Sequence, residues 1–478
     1  MSRVTRRTFL KQSLGVAGGL FTISGTKASG VVLGANDTIR VAVSGIHGRG
    51  GSHVSEFMKM QGVQVVALVD PDARTFAERI KQVAKLGGKT PKTFQDIRKA
   101  LEDKDIDVVS IATTNHWHAL QTIWACQAGK DVYVEKPCSH NVHEGRIAVE
   151  AARKYNRIVQ HGTQGRNDRG WWQLAELVKK GTYGRLLVSR GLCYKRRDSI
   201  GFKPNEAPPP ELDYDLWLGP APEQPYNTNL VHYNWHWFWD FGNGDIGNQG
   251  VHQMDVARWM IPGATLPKSV ISLGGRFGYE DQGQTPNTQI AILDYGETQI
   301  IFEVRGLPTD RYRGSSIGNI LHFEEGIVVD DRFYPKGSDQ AVDMPKVDVK
   351  LGPDGGHFGN FIAAVRSRKQ SDLNADILEG HLSSALCHLA NISYRLGKPV
   401  PFNPKTKALG DNKETYETLA RMEEHLTKNG LKLEEMTYQL GRKLEVDAKT
   451  ESIIGDPEAN KMLTREYRKP FVVPEKLG

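Results

Sequence analysis

The run Glu135-Lys136-Pro137 contains a lysine whose position could serve catalysis. It follows a short apolar strand at residues 131–134, and the proline keeps Lys136 in extended geometry. Ligands bind at such strand ends in open α/β sheets. A lysine there can donate a hydrogen bond to a substrate hydroxyl or carry its proton. Taken alone, the run is equally compatible with a solvated Lys–Glu pair.

The glycine-rich turn at residues 45–51 is the second stretch whose residue types indicate chemistry. Turns of this kind let backbone N–H groups approach a pyrophosphate at the start of a helix. Gly45 and Gly50 match the first and third positions of G-x-G-x-x-G, whereas His47 occupies the second, and a register that uses Gly48 stays open. The residues predicted to hold a cofactor here are Gly45, His47, Gly48, Arg49 and Gly50.

The elements around that turn complete a dinucleotide-binding unit. A strand at residues 39–44 precedes it, an amphipathic helix is predicted from about residue 52, and a strand at residues 63–69 ends at Asp70. The carboxylate of Asp70 can accept hydrogen bonds from ribose hydroxyls and repels a 2′-phosphate, which favours NAD. Arg74 is close in sequence, so NADP remains a second candidate.

Strands and helices continue to alternate, which predicts a parallel sheet. Thr113, Asn115 and His118 follow a buried strand at residues 108–112, and they are predicted to lie where a nicotinamide ribose would pass. His116 and His118 have no carboxylate partner nearby in the sequence, so no metal site is predicted. The other elements predicted here are helices at 94–101, 120–128 and 142–155 and strands at 132–134 and 158–160.

Beyond the alternating region come strands that few helices separate, which predicts a mostly antiparallel sheet. A proline-rich loop at residues 202–229 and an aromatic run at 233–241 interrupt it. Aromatic rings beside polar groups suit the apolar faces of sugars, so Trp235 and Trp237 are predicted to contact a sugar, with core packing as the alternative. Arg166 is either a substrate contact or a salt-bridged loop arginine. The predicted strands are 186–194, 269–273, 289–293, 299–304 and 320–323, and the predicted helices are 359–366, 381–396 and 413–426.

The charge distribution favours export and argues against nucleic-acid binding. The 478 residues carry a formal net charge of +6, but residues 1–35 hold five basic residues and no acidic one, which leaves about +1 for the remainder. A near-neutral chain without a basic stripe is not expected to bind nucleic acid. Arg6 and Arg7 form a twin-arginine motif before a weakly apolar run, so we predict a twin-arginine signal peptide and a periplasmic or otherwise exported protein. No later apolar run is long enough to span a membrane.

Residues 38–170 resemble the nucleotide-binding domain of the glucose–fructose oxidoreductase and inositol dehydrogenase family (Gfo/Idh/MocA). The glycine turn, Asp70 and, above all, Glu135-Lys136-Pro137 carry this resemblance. It implies that Glu135 contacts the cofactor's ribose and that Lys136 lies beside the nicotinamide and the reacting carbon. The Lys-Pro peptide bond is often cis in that family.

The resemblance also gives roles to Asn248 and His252. The family often has Asp-x-Gly-x-His here, with the two side chains flanking the hydroxyl that is oxidised. His252 matches and is the implied acid–base residue, with a pKa expected near neutral; a packed helix histidine is the alternative. Asn248 departs from the pattern, and an amide can orient a hydroxyl but cannot relay its proton. If this segment is a helix, both side chains share one face.

These observations predict an α/β chain with an N-terminal Rossmann domain and a C-terminal α+β domain built on a mostly antiparallel open sheet. The predicted boundaries are 1–35 for the signal, 36–165 for the Rossmann domain, 166–400 for the substrate and oligomerisation domain and 401–478 for an extension. The resemblance implies a homo-oligomer through the C-terminal sheet. The predicted function is transfer of hydride between a tightly bound NAD(P) and a secondary hydroxyl of a sugar, polyol or glycoside. An NAD-dependent glycoside hydrolase that oxidises its substrate transiently and a non-catalytic sugar-binding protein are the alternatives.

Overall fold

The structure, a computed structural model, describes residues 38–478 except 354 and 411. The predicted signal at residues 1–35 lies outside the described residues. Within the described part of the chain, no helix is both long and apolar enough to cross a bilayer.

A six-stranded parallel sheet with helices on both faces forms the N-terminal half of the fold. Its strands are β1 (Ile39–Ser44), β2 (Val63–Val69), β3 (Lys92–Phe94), β4 (Val108–Ile111), β5 (Asp131–Val134) and β6 (Val159–His161). The helices between them are α1 (Arg49–Met58), α2 (Phe76–Lys85), α3 (Ile97–Leu101), α4 (Asn115–Gln127) and α5 (Val142–Lys154). The strand order is β3-β2-β1-β4-β5-β6. The order reverses between β1 and β4, so the carboxyl ends of these strands open a crevice at the switch point.

In the parallel-sheet half, three helices begin at residues other than those predicted from the sequence. The predicted helix at 94–101 is a short strand followed by a short helix, because Asp96 caps α3 by accepting the N–H of Arg98 at 2.9 Å. Helix α1 begins at Arg49, three residues before the predicted start, so Gly50 is helical. Helix α4 begins at Asn115, so the polar segment after β4 forms its first turn.

A larger, mostly antiparallel sheet follows. Its strands are β7 (Leu186–Tyr194), β8 (Ser269–Gly275), β9 (Thr288–Asp294), β10 (Gln299–Arg305), β11 (Ile317–Phe323), β12 (Gly326–Val329), β13 (Arg332–Pro335), β14 (Val342–Asp343), β15 (Lys398–Pro401), β16 (Thr437–Leu440), β17 (Leu444–Asp447) and β18 (Ser452–Ile453). The strand order is β14-β13-β12-β11-β7-β10-β9-β8-β16-β15, and β17 pairs with β8 and β18. Strands β7 and β10 form a parallel pair. The predicted fold class is confirmed.

The remaining helices surround this sheet and connect it to the first. They are α6 (Arg169–Lys179), α7 (Tyr214–Leu218), α8 (Gly244–Gly247), α9 (Gly250–Trp259), α10 (Gly356–Ser367), α11 (Ile377–Arg395), α12 (Lys413–Lys428) and α13 (Pro457–Lys461). Helix α7 lies inside the stretch predicted to be a loop at residues 202–229.

The central strands of the larger sheet are covered on both faces by this one chain. Successive side chains alternate between the faces: Ile300 and Leu293 pack with α9 and α11, whereas Ile301 and Ile292 pack with α12. The sheet face expected to contact a partner copy is therefore covered, over these strands, by α12.

Segments from the end of the chain also pack against the parallel sheet. Phe358 and Phe361 of α10 belong to the core on one face, and Phe471 packs edge-on against Trp117 on the other, with ring centroids 5.4 Å apart. The chain after residue 400 also adds β16 and β17 to the larger sheet. The domain boundaries predicted at residues 165 and 400 therefore separate segments that pack against one another. Composition does not reveal such long-range packing.

Candidate active site

A cavity of about 640 Å³ opens where the strand ends of the parallel sheet meet α9 and the aromatic run. Most of the residues predicted to bind cofactor or substrate line it. These are Gly45, His47, Gly48, Arg49, Asp70, Thr113, Asn115, His118, Glu135, Lys136, Trp235, Asn248 and His252. The sequence therefore identified much of one continuous site.

The glycine turn has two positions that only glycine can occupy. Gly45 has a φ of +80°, and a Cβ there would lie 2.6 Å from the carbonyl carbon of Ala112. A Cβ on Gly50 would lie 2.0 Å from the carbonyl oxygen of Gly45. At Gly48 nothing lies within 4 Å of such an atom. The first and third positions of G-x-G-x-x-G are therefore required by packing, and Gly50 supports the turn from behind without lining the cavity.

Asp70 ties the glycine turn to the end of β2. Its carboxylate accepts the backbone N–H of Ile46 at 2.9 Å and that of Asp72 at 3.0 Å. Burial raises the pKa of Asp70 to about 6. The carboxylate faces the cavity, where ribose hydroxyls of a dinucleotide could donate to it.

Arg74 was the reason for considering NADP as a second candidate, but its guanidinium is bound to another side chain of the protein. Its guanidinium donates to Asp72, with Nε 2.8 Å from Oδ1, and it does not line the cavity. Although burial acts against it, Arg74 and His232 lower the pKa of Asp72 to about 2. Asp70 therefore offers a ribose a carboxylate that makes no ion pair among the described residues, whereas Arg74 is held by Asp72, which favours NAD.

The insert between β7 and α8 covers the nucleotide end of the cavity. His232 of this insert lies 2.8 Å from Asp72 and stacks on His47 of the glycine turn, with ring centroids 4.0 Å apart. The backbone N–H of Ala73 donates to the carbonyl of Glu211 at 3.0 Å. A bound nucleotide would thus be enclosed between the turn and the insert.

Glu135 forms ion pairs with two side chains of α1. It pairs with Arg49 at 2.8 Å and with His53 at 3.1 Å. Burial would raise the pKa of Glu135, but His53, Arg49 and Lys136 hold it well below its usual range. The carboxylate is therefore ionised and fixed between α1 and β5, beside the path of the cofactor.

Lys136 and Asn248 form a direct contact across the cavity. The ammonium of Lys136 donates to Oδ1 of Asn248 at 3.1 Å and to its backbone carbonyl at 3.0 Å. The Lys136–Pro137 bond is cis. Burial lowers the pKa of Lys136. Asn248 thus orients a lysine without neutralising its charge.

His252 lies in the first turn of α9 and faces the same space. Burial and the charge of Lys136 lower its pKa to about 3, which corrects the expected near-neutral value. Asn248 precedes the helix, with φ −89° and ψ −84°, so the two residues do not share a helix face. At neutral pH the imidazole is uncharged and has a nitrogen able to accept a proton.

Thr113, Asn115 and His118 fix the loops around Lys136. The ring nitrogens of His118 lie 2.6 Å from the carbonyl of Pro137 and 3.0 Å from that of Thr113. Asn115 donates to Oδ1 of Asn243 at 3.2 Å. His118 therefore links the segments that follow β4 and β5, and Asn115 links the first of them to the segment before α8.

The structure places the residues predicted to contact substrate in different surroundings. Trp235 lines the cavity, whereas Trp237 does not and packs beneath Arg197, whose guanidinium lies 4.9 Å from the ring centroid. Arg166 is buried away from the cavity, where it pairs with Asp255 at 2.9 Å. The salt-bridged alternative therefore describes Arg166. Trp237 is buried beneath Arg197 outside the cavity, and Trp235 lines the cavity but also packs in the buried cluster of the insert.

Several cavity residues were not identified from the sequence, among them His232, Lys195, His236, Gln249 and His357. His236 stacks on Trp235 with ring centroids 3.6 Å apart. Gln249 is next to the predicted site residue Asn248, and Lys195 follows a predicted strand, so the sequence weakly indicated that both could lie in the site. His357 comes from the start of α10, far along the chain, and nothing in the sequence placed it here. Despite the several histidines, no group of three or more His, Cys, Asp or Glu side chains among the described residues is arranged to hold a metal ion.

Two segments of the chain match models of one protein family. Residues 39–163 match the NAD-binding Rossmann fold of the Gfo/Idh/MocA oxidoreductase family, and residues 196–274 match its C-terminal alpha/beta domain. Lys136 lies in the first match and His252 in the second. Both sides of the cavity therefore lie in segments that match domain models of the Gfo/Idh/MocA oxidoreductase family, and the model matched by the parallel-sheet half is the NAD-binding one.

The chain also matches curated relatives at low sequence identity. A glycosyl hydrolase family 109 protein of Shewanella pealeana is 28% identical over 207 residues, which are 39% of this chain and 45% of the relative. An alpha-N-acetylgalactosaminidase of Shewanella oneidensis is 26% identical over 210 residues, with the same shares of the two chains. The chain thus spans about half the length of the curated relatives that it matches.

Solved structures share the fold. The WlbA dehydrogenase of Bordetella pertussis, in complex with NADH and UDP-GlcNAcA, aligns with a TM-score of 0.54 at 16% identity, covering 74% of this chain and 96% of that one. The required glycines, the free carboxylate of Asp70 and the enclosed cavity fit NAD in this chain.

Proposed function

We propose that this protein is an NAD-dependent oxidoreductase that acts on a secondary hydroxyl of a sugar, polyol or glycoside. The observation that carries the proposal is that Lys136 and His252 face one cavity together with the glycine turn and Asp70. A proton-handling pair is thus placed at the end of the cavity opposite the adenosine-binding carboxylate. The stacked rings of Trp235 and His236 offer an apolar surface to a sugar ring.

Each residue has a defined part in this reaction. NAD, when bound, supplies hydride acceptance and return. Asn248 fixes the Lys136 ammonium, which keeps N–H donors for a substrate hydroxyl. The uncharged His252 accepts the hydroxyl proton, and the nearby lysine charge stabilises the oxygen as that proton leaves. The insert with His232 and Trp235 excludes water and retains the cofactor.

A second candidate function is hydrolysis of a glycoside with no net redox change. The names of the curated relatives, glycosyl hydrolase family 109 protein and alpha-N-acetylgalactosaminidase, favour it. The same lysine and histidine would serve, because transient oxidation of the sugar makes the adjacent substituent easier to eliminate.

One experiment separates the two functions. The purified protein is denatured to release its cofactor, which is identified by mass. A second sample is mixed with a panel of sugars and glycosides while reduced nicotinamide absorbance and released aglycone are followed. Net formation of NADH with an oxidised sugar supports the oxidoreductase. Release of an aglycone with no net NADH supports the hydrolase. A protein that binds NAD but changes neither quantity would contradict both, and a non-catalytic sugar-binding protein would replace them.

We also propose that the protein is exported through the twin-arginine route. The proposal is supported by Arg6 and Arg7 and by the charge concentrated in residues 1–35. Changing both arginines to lysine should retain the protein in the cytoplasm of an expressing bacterium, as measured by cell fractionation. Equal periplasmic amounts of the two proteins would contradict this route.

A further inference from the structure

A second lysine lies in the cavity beside Lys136. Lys195 follows β7, is half-buried and lines the cavity. Its ammonium lies 3.4 Å from Oε1 of Gln249. Lys136 donates to Asn248, the residue just before Gln249. Two consecutive amide side chains therefore hold two ammonium groups in one space.

Neither ammonium is neutralised by a carboxylate of the chain. An amide oxygen accepts a hydrogen bond but carries no net charge. The nearby carboxylates are already paired: Glu135 with Arg49 at 2.8 Å, and Asp245 with Arg197 at 2.7 Å. In the described part of the chain, neither lysine makes an ion pair within 4 Å. The substrate end of the cavity thus has an excess of positive charge.

The two lysines are close enough to affect one another. Burial is the main cause of the lowered pKa of Lys136; Glu135 and Asp245 oppose it, whereas the charges of Arg49 and Lys195 act in the same direction as burial. Placing like charges together inside a cavity is unfavourable unless a ligand of opposite charge joins them. Lys195 is therefore explained by a bound anion better than by packing.

We propose that the sugar substrate carries an anionic substituent, a carboxylate, sulfate or phosphate, that binds Lys195 while the reacting hydroxyl lies against Lys136. The assignment rests on the proposed function only in that it takes the cavity ligand to be a sugar. An ammonium is a compact point charge that suits all three anions. Gln249 orients the ammonium toward the cavity as Asn248 orients that of Lys136.

Calorimetry on NADH-loaded protein tests this assignment with matched ligands. The ligand sets are glucose, glucuronate, glucose 6-sulfate and glucose 6-phosphate, together with the corresponding galactose series. At least one anionic member should bind about tenfold more tightly than its neutral parent, and the preferred anion identifies the substituent. Lys195→Gln should reduce this preference about tenfold while NADH affinity is unchanged.

The matched control is Arg196→Gln. Arg196 is an exposed neighbour that pairs with Asp198 at 3.1 Å, so its loss should leave the preference unchanged. The proposal is overturned if no anionic sugar binds better than its neutral parent, or if Lys195→Gln keeps the full preference. Because binding is measured without turnover, a protein that prefers anionic sugars but never changes the redox state of NAD would contradict the proposed function and leave this assignment intact.

Discussion

The two ends of the cavity are built in different ways. The cradle of the nucleotide end comes from one contiguous stretch, residues 39–70, which the insert with His232 covers. This cradle depends on backbone: two glycines with no room for a side chain, and a carboxylate held by two backbone N–H groups. The substrate end is assembled from side chains that are far apart in sequence, Lys136, Lys195, Asn248, His252 and His357.

This difference separates binding from specificity. A backbone cradle recognises what all dinucleotides share, whereas side chains from separate elements can be exchanged one at a time without disturbing it. Changes at the nucleotide end should therefore alter cofactor affinity. Changes at the substrate end should alter turnover or substrate choice and leave cofactor affinity alone.

The largest expected effect is at Lys136. Lys136→Met removes the donor that faces the substrate hydroxyl but retains the length of the side chain, so turnover should fall on the order of 10³-fold. NAD affinity should change by less than about threefold. The measurements are initial rates and fluorescence titration of NADH. Lys59→Met, at an exposed lysine paired with Glu56, is the control. Turnover within about tenfold of the original protein would remove Lys136 from the chemistry.

The next largest effect tests the opposite end. Gly50→Ala places a methyl group 2.0 Å from the carbonyl oxygen of Gly45, so the turn must shift and NAD affinity should fall on the order of 100-fold. Gly165→Ala is the matched control, since its Cβ would make an ordinary contact at 3.6 Å with Val256. Circular dichroism establishes that both variants are folded. Unchanged NADH binding by folded Gly50→Ala would show that the turn does not hold the cofactor.

A smaller effect should appear in the pH dependence of NAD binding. In the free protein burial raises the pKa of Asp70 to about 6, and ribose hydroxyls that donate to the carboxylate favour its charged form. Affinity should therefore rise as pH increases through about 6 and fall by up to about tenfold between about pH 7 and pH 5. Asp70→Asn should flatten this profile. A slope that persists in Asp70→Asn would assign it to another group.

The same raised pKa has a defined sign for stability. Folded Asp70 holds its proton more tightly than the unfolded chain, whose ordinary value is 3.8. Its contribution to the stability of the free protein is therefore complete below that value and is lost as pH rises through about 6. Comparing the thermal unfolding of the cofactor-free protein with that of Asp70→Asn over this range measures the contribution.

The smallest expected effect is at the insert that covers the nucleotide. His232→Ala removes the stack on His47 and the contact with Asp72, so bound NAD should dissociate about three- to tenfold faster. Displacement kinetics measure the rate. His143→Ala, at a histidine that contacts the carbonyl of Pro474, is the control. An unchanged rate would mean that the insert does not retain the cofactor.

The same contrast explains what could be predicted from the sequence. The elements of the nucleotide end could be predicted because strand, turn, helix and acid follow one another within a single stretch, and most of the residues predicted there line the cavity. The predicted start of α1 was wrong by three residues, since its N-cap is Gly48 and no side chain caps the helix to mark where it begins.

The substrate end was predicted only in part. Asn248 and His252 came from a resemblance in a short pattern, but their helix geometry and the low pKa of His252 depend on burial that a sequence does not show. Arg166 was open between two roles because its partner, Asp255, lies far along the chain. His357 reaches the cavity through the packing of α10 on the parallel sheet, which no local signal encodes.

The central claim is that NAD bound at the nucleotide end takes a hydride from one carbon of a sugar bound at the substrate end. Following that hydride tests the claim most directly. The protein with its bound NAD is mixed with a reacting sugar that carries deuterium on its ring carbons, and the released cofactor is examined by mass. We expect NAD to gain one deuterium with the original protein and to gain it on the order of 10³-fold more slowly with Lys136→Met. An oxidised sugar formed while the cofactor gains no deuterium would contradict direct hydride transfer, whereas a cleaved sugar with unlabelled NAD is the result expected of the hydrolase, which returns the hydride.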